Sequence, residues 1–231
     1  MGYDHDIAPV AALLADRARG AMLMALLDGR PLAAGELAKV AGVGAPTASA
    51  HLARLLDGGL VTVVRQGRHR YYRLGSAEVA GVIEALGRIS PPVEVRSLRQ
   101  SREARLLGAA RSCYDHLAGR AGVELFAAMA DGGLIEADGA AVTAKGEERL
   151  EELGIVMSEL RGRRRLVGQC LDWTERRPHL SGAVGAALLA RMLALGWLER
   201  GRARRALVVT EAGLRGLSDS FGCVPRSTLE A

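Results

Sequence analysis

Aromatic side chains are scarce in this 231-residue chain, at 3%, and cysteine occurs only three times. So few rings leave any core to Leu, Ala, Val and Met. Three cysteines do not make a disulfide framework. The opening stretch MGYDHDIAPV has no basic-then-apolar pattern, so a secretory leader is not expected. The longest apolar run, Gly182 to Leu198, is broken by Arg191 and by glycines, too short and interrupted to cross a bilayer. A reducing cytoplasm is the expected setting, with no membrane partner. Also missing are a phosphate-binding loop and a dinucleotide fingerprint. Cys113, Asp115 and His116 crowd into one turn without a Gly-rich loop or an evident oxyanion donor. That argues against a nucleophile, base and orienter, so catalysis is not expected.

A hydrophobic fraction of 49% is ample for a packed core and excludes a disordered chain. The formal charge of +5, with a pI near 9.5, is mildly basic and fits DNA, RNA or a solvated surface. Apolar residues at helical spacing run from Ile7 to Asp28, with Gly20 as the expected break between two helices. A turn at Gly29–Pro31 leads to short helices around Gly35–Val40 and Ala45–Asp57. The β-rich runs Leu60–Val64 and Arg70–Leu74 then flank Gly67 as a hairpin. Ser76 is placed to cap a helix through Leu86, and Pro91-Pro92 ends it as a linker. The expected fold is mainly α with small β-hairpins, an α+β chain. Its expected domains are 1–92, 93–223 and a tail over 224–231.

Two short helices meeting at a Gly-containing turn before a basic hairpin make the helix-turn-helix pattern with a wing. Ala48, Leu52 and Leu55 form the buried stripe of the second helix, which puts Thr47, Ala50, His51 and Arg54 on outward faces. Between Ala45 and Arg73 stand Arg54, Arg65, Arg68, Arg70 and Arg73 against a single acid, Asp57. Short hydrogen-bonding and cationic groups near a helix start suit phosphates and base edges. The candidate DNA-binding set is Thr47, Ser49, His51 and Arg54, with Arg68, His69 and Arg70 on the wing. A winged helix used for protein contacts would carry the same pattern.

At "SAHL" (Ser49–Leu52), "GGLV" and "GRHRYYRL", residues 8–90 resemble the ArsR/SmtB family of winged-helix repressors. The resemblance implies a homodimer, paired through its first helix and the helix after the wing, that binds double-stranded operator DNA and leaves it when an effector binds. Ala50 stands where the family commonly has Arg, which shifts weight from base reading to shape and backbone contacts. The two places where the family's metal sensors carry ligands are empty of them. "ELAKVAG" has no Cys, and "SAEVAGVIEALGRIS" has Glu78 and Glu84 but no His. Any effector is therefore expected in the remaining residues.

Those residues repeat themselves. Aligning His116 with His179, an offset of 63, also pairs Leu117 with Leu180, Gly119 with Gly182, Gly122 with Gly185, Leu125 with Leu188, Met129 with Met192 and Gly133 with Gly196. Four more residues in the next turn pair Thr143 with Thr210, Gly146 with Gly213 and Leu150 with Leu217. Self-similarity at a fixed offset marks a duplication, with repeats at about 113–155 and 170–221, each winged-helix-like. "CYDHLAG" and "CLDWTERRPHLSG" fall at the head of the two copies. Cys113, Asp115, His116, Cys170, Asp172, Trp173, Arg177 and His179 are the candidate effector residues. Any metal would fall among Cys113, His116, Cys170 and His179. On a helix Cys113 and His116 share a face, whereas Cys170 and His179 lie nine apart across Pro178, so the two copies cannot be identical sites; halves packed about a pseudo-twofold would bring all six residues together or keep two separate sites. Packing and thiol redox sensing at Cys113 and Cys170 are open alternatives. An architectural protein that binds DNA without an effector is another. No cofactor is required by the sequence; a metal ion or small molecule is the effector class it would suit.

Overall fold

The computed structural model describes residues 5–225 except 68, 92–96, 137, 161 and 163. Arg68 of the wing and Pro92 of the linker lie outside the described residues. The chain divides into two compact units, meeting at Ser90 and Pro91.

The first unit opens with α1 (Ala8–Leu14) and α2 (Arg17–Leu26). The break between them falls at Ala15–Asp16, not at Gly20, which lies inside α2. Asp16 decides this: its carboxylate caps α2 by accepting from the Arg19 N–H at 2.9 Å. Arg19 then reaches back, donating to the carbonyls of Leu13 (2.7 Å) and Ala12 (2.8 Å), which satisfies groups that α1 leaves open at its end. After β1 (Leu32–Ala33) come α3 (Ala34–Ala41) and α4 (Ala45–Asp57), the helix-turn-helix pair. Ala48, Leu52 and Leu55 are the buried residues of α4, as their spacing requires.

The wing pairs β2 (Val61–Gln66) with β3 (His69–Leu74) around Gly67, in register from Val61 opposite Leu74 to Gln66 opposite His69. β1 was not legible in sequence; it adds a third strand because Leu32 pairs with Tyr72 and closes the sheet in the order β1-β3-β2. α5 (Ala77–Ile89) runs nearly a turn beyond the expected Leu86, capped by Ser76, whose hydroxyl accepts from the Val79 N–H. Its outer face leaves Val82, Leu86 and Ile89 exposed.

The second unit starts with α6 (Leu98–Ala109) and then runs twice through the same order. The first copy has β4 (Arg111–Cys113), β5 (His116–Ala118), α7 (Arg120–Asp131), a bridge between Ile135 and Val142, and α8 (Ala144–Glu152). The second has β6 (Gly168–Leu171), β7 (Pro178–Ser181), α9 (Gly182–Ala194), β8 (Leu198–Arg200), β9 (Leu207–Val209) and α10 (Glu211–Phe221). Each half therefore carries a leading hairpin ahead of helix, hairpin and helix. The equivalent residues Leu117 and Leu180, Leu125 and Leu188, Met129 and Met192, and Leu150 and Leu217 all enter one apolar cluster.

The caps repeat as well. Thr143 accepts from the Gly146 N–H (3.1 Å) and donates to the Gly133 carbonyl (2.6 Å). Thr210 does the same with Gly213 (3.0 Å) and Gly196 (2.7 Å). A methyl group built on Gly146 or Gly213 would overlap the carbonyl oxygen of Leu134 or Trp197, so each helix start lies directly on the preceding hairpin. Gly146→Ala and Gly213→Ala should each cost about 1–3 kcal/mol through overpacking. Both tryptophans, Trp173 and Trp197, lie in the second unit, so a urea titration followed by tryptophan fluorescence reads this loss directly.

Candidate functional site

Two constellations stand out, one in each unit. In the first, the buried stripe of α4 turns Thr47, Ser49, Ala50 and Arg54 to solvent. His51 is half-buried and its Nδ1 lies 3.8 Å from Oδ1 of Asp16, so this ring braces α4 against the start of α2. On the wing, His69 and Arg70 are exposed, and Arg73 donates across the strands to the Thr62 hydroxyl at 3.3 Å. The result is a polar, cationic surface carried by a helix and a hairpin with packed backs.

In the second unit the two copies of the repeated motif face each other. Cys113 and His116 are cross-strand partners on β4 and β5, not neighbours on a helix face. Tyr114, at a φ of 58°, closes the tight turn that makes this so. Cys170 and His179 hold the same register on β6 and β7, where Leu171 pairs with Pro178. The longer second loop bulges beyond the ladder and leaves the register intact. Of the two arrangements the sequence leaves open, the structure shows the halves packed together, with a Cys and a His from each half in one cluster.

Its donor atoms all lie within 4.8 Å of one another. The Sγ atoms of Cys113 and Cys170 are 3.7 Å apart and are not joined in a disulfide. The rings of His116 and His179 stack with centroids 5.2 Å apart. His179 is 1% exposed, and both its ring nitrogens lack a hydrogen-bond partner among the described residues. Cys113 and His116 are buried; Cys170 is half-buried and opens the site to one side. Helix packing permits this approach. A side chain on Gly122 of α7 would strike the Leu117 carbonyl and meet His179, and one on Gly185 of α9 would strike the Leu180 carbonyl and meet His116.

Behind each histidine stands a carboxylate. Oδ1 of Asp115 is 3.3 Å from Nδ1 of His116, and both oxygens of Asp115 are gripped by Arg164. Asp172, wholly buried, faces Nδ1 of His179 at 3.6 Å. It accepts from Arg111 at 2.8 Å and from the Gly119 N–H at 2.7 Å. The Thr174 hydroxyl (2.6 Å), the Thr174 N–H (2.9 Å) and the Glu175 N–H (3.1 Å) donate to its other oxygen. Burial opposes ionisation of Asp172, yet the Arg111 charge, the Thr174 hydroxyl and these backbone donors hold its carboxyl well below the usual range. Burial opposes Asp115 too, and His116 and Arg164 outweigh it. The Cys170 thiol is drawn far below its ordinary value, chiefly by hydrogen bonding to Cys113 and, against burial, by His116 and His179. Cys223, outside the cluster, is pushed up to about 12 by burial, with the Glu124 charge adding to it.

Of the candidate effector residues, the structure thus unites Cys113, His116, Cys170 and His179 and backs them with Asp115 and Asp172. Trp173 and Arg177 stand outside. One face of the half-exposed Trp173 ring is taken by the Arg111 guanidinium, 4.6 Å from its centroid, and Arg177 is exposed. Arg111 and Arg164 were missed in sequence. Two thiols and two imidazoles are suited to tetrahedral metal ligation, and thiols this close also admit oxidation to a disulfide.

Residues 14–64 match a family described as a helix-turn-helix domain. The chain is 43% identical over 211 residues to YdfF, an uncharacterized HTH-type transcriptional regulator of Bacillus subtilis (strain 168); the match covers 90% of this chain and 93% of that one. Among solved structures, the transcriptional repressor BigR from Xylella fastidiosa is 29% identical over 38% of this chain and 88% of its own, with a TM-score of 0.34. HlyU from Vibrio cholerae N16961 is 33% identical over 35% of this chain and 87% of its own, with a TM-score of 0.33. No helix among the described residues is long and apolar enough to cross a membrane. With a relative matched over nearly its whole length, and a helix-turn-helix whose recognition helix shows solvent a polar, cationic face, this chain belongs to the family of HTH-type transcriptional regulators, which bind DNA.

Proposed function

We propose that the regulator is a homodimeric repressor that holds operator DNA through α4 and the wing and leaves it when an effector binds the Cys/His cluster of the second unit. The observation that carries the DNA half of this reading is the outward face of α4. Thr47, Ser49 and Arg54 project from a helix whose opposite side is fully packed, beside exposed His69 and Arg70. Arg54 supplies the long cationic contact to a base edge or phosphate; Thr47 and Ser49 supply short hydrogen bonds near the helix start. Arg68 is assigned to the wing contact by its place in sequence. His51 acts indirectly, fixing the pitch of α4 through Asp16. Ala50 offers a base only a methyl group, so shape and phosphate contacts carry much of the affinity.

The dimer reading rests on the outer face of α5. Val82, Leu86 and Ile89, at i, i+4 and i+7, are 48%, 39% and 81% exposed, and Ile7 and Val10 at α1 are exposed too. A contiguous apolar stripe of this kind marks an interface. An effector then acts by population shift: it favours a dimer whose recognition helices no longer match the half-site spacing. An architectural DNA-binding protein would share the helix-turn-helix and lack both the sequence preference and the response to a ligand.

Sequences selected from a random DNA pool by the full chain test the first claim. Arg54→Ala should weaken the selected site by about tenfold or more at fixed salt while the dimer mass is unchanged. A chain with no preferred sequence, or an Arg54→Ala variant that binds as tightly as the parent, would overturn it. Leu86→Glu should convert the dimer to a monomer in light scattering and lower operator affinity with it. A parent chain that is itself monomeric would remove the homodimer.

A further inference from the structure

We infer that Cys113, His116, Cys170 and His179 form a tetrahedral site for one zinc-class divalent ion, held jointly by the two halves of the duplicated unit. The inference concerns ion binding alone; that the ion is the effector rests on the regulator reading above.

Donor number and type come first. Two thiolates and two imidazoles are a complete ligand set for a structural or sensory zinc-type ion, with no carboxylate or water needed to fill it. Distance agrees. With metal–sulfur bonds of about 2.3 Å, two thiolates on one tetrahedral ion sit about 3.8 Å apart; Sγ of Cys113 and Sγ of Cys170 are 3.7 Å apart. All four donors fall within 4.8 Å of one another, so closing to tetrahedral edges needs small side-chain movements. The buried ring of His179, lacking a hydrogen-bond partner for its Nε2 among the described residues, is a polar group whose burial otherwise goes uncompensated.

The surroundings are arranged for the same purpose. Each histidine has a carboxylate beside Nδ1, Asp115 at 3.3 Å and Asp172 at 3.6 Å, placed to orient the ring and leave Nε2 for the ion. Each carboxylate is in turn neutralised by an arginine distant in sequence, Asp115 by Arg164 and Asp172 by Arg111. The outer groups therefore add no net charge, and two thiolates balance a divalent ion. A neutral site of this kind can be buried, where an uncompensated dication cannot. Half-exposed Cys170 leaves an entry path.

The test uses the reduced, chelator-treated full chain. Cobalt(II) added alone should bind at one ion per chain with the intense visible bands of tetrahedral coordination and a thiolate-to-cobalt charge-transfer band, and one equivalent of zinc should displace it. Cys170→Ser and His179→Asn should weaken zinc binding at least a hundredfold. Asp115→Asn, a change to a positioning residue, should weaken it about tenfold to a hundredfold while keeping the cobalt spectrum. Since the ligand variants test the site only if they fold, X-ray absorption on the zinc-loaded parent gives a second reading: two sulfur and two nitrogen neighbours, at about 2.3 and 2.0–2.1 Å. Absence of the charge-transfer band in the parent, oxygen-only coordination, or stoichiometric binding that survives Cys113→Ser/Cys170→Ser would overturn the site. So would a reduced chain that takes up no ion and readily forms a Cys113–Cys170 disulfide. Ion binding that leaves operator affinity unchanged would keep the site and remove its role as effector.

Discussion

The stacking of His116 on His179 across the join between two repeats is the contact around which the second unit is organised. Two buried imidazoles at 5.2 Å can be tolerated only if their nitrogens are served and their backs are free of crowding. Gly122 and Gly185 supply the room, each lying against the histidine of the opposite half. Asp115 lies 3.3 Å from Nδ1 of His116 and Asp172 lies 3.6 Å from Nδ1 of His179, and the arginines that hold those acids are far off in sequence, Arg164 ahead of β6 for Asp115 and Arg111 on β4 for Asp172. Removing one member exposes a charge or an orphaned ring in a dry interior, which is why so many polar residues persist there. Arg111, 1% exposed and tied to Asp172 and Thr174, is the clearest case.

Duplication explains why four donors exist at all. One copy brings a cysteine and a histidine, opposed across a short hairpin, and two donors do not complete a tetrahedral ion. A second copy, packed so that its hairpin meets the first, completes the set without any new sequence feature. The leading hairpin and the Thr-capped helix recur with matching hydrogen bonds, so the same local rules place each pair. Within the leading hairpins the asymmetry lies in the loop after Cys170. There Asp172 accepts from the N–H groups of Thr174 and Glu175 and the Thr174 hydroxyl, folding the extra residues away from the ladder.

The helix-turn-helix was readable because its signals are local and redundant: a buried stripe at Ala48, Leu52 and Leu55, a Gly turn, and a basic hairpin around Gly67. The internal repeat was readable for the same reason, since identical residues recur at a fixed offset from His116 to Gly133. Two local errors share a cause. Gly20 looked like a helix breaker, but a capping carboxylate at Asp16 with Arg19 folded back outweighs one glycine inside a helix. Cys113 and His116 looked like a helical pair because their spacing permits it. The positive φ of Tyr114, which turns the chain into a hairpin, leaves no mark in composition. Arg111 and Arg164 were invisible for another reason. Their partners lie 61 and 49 residues away, and nothing in a single sequence says which acid a cation will meet.

The division of labour between the units follows from where each kind of chemistry is available. The first unit holds neither the thiols on α3 nor the histidine on α5 that metal sensing of the resembled family would need, and its exposed polar groups are those proposed above to meet DNA. The second unit holds the thiols and rings. An effector shifts an equilibrium only by the difference in its affinity for two states. The donor set here spans up to 4.8 Å, whereas a bound tetrahedral ion imposes edges of about 3.3–3.8 Å. An ion would therefore reward whichever arrangement of the two hairpins draws the donors in, and the reward is steep because metal–ligand bonds tolerate little stretch. Since β4–β5 and β6–β7 belong to different repeats, an ion held by all four donors would tie one repeat to the other. A rigid cluster buried inside a single repeat would bind as well and transmit nothing. A site on the join would give ion binding, if it is the effector step proposed above, a mechanical consequence.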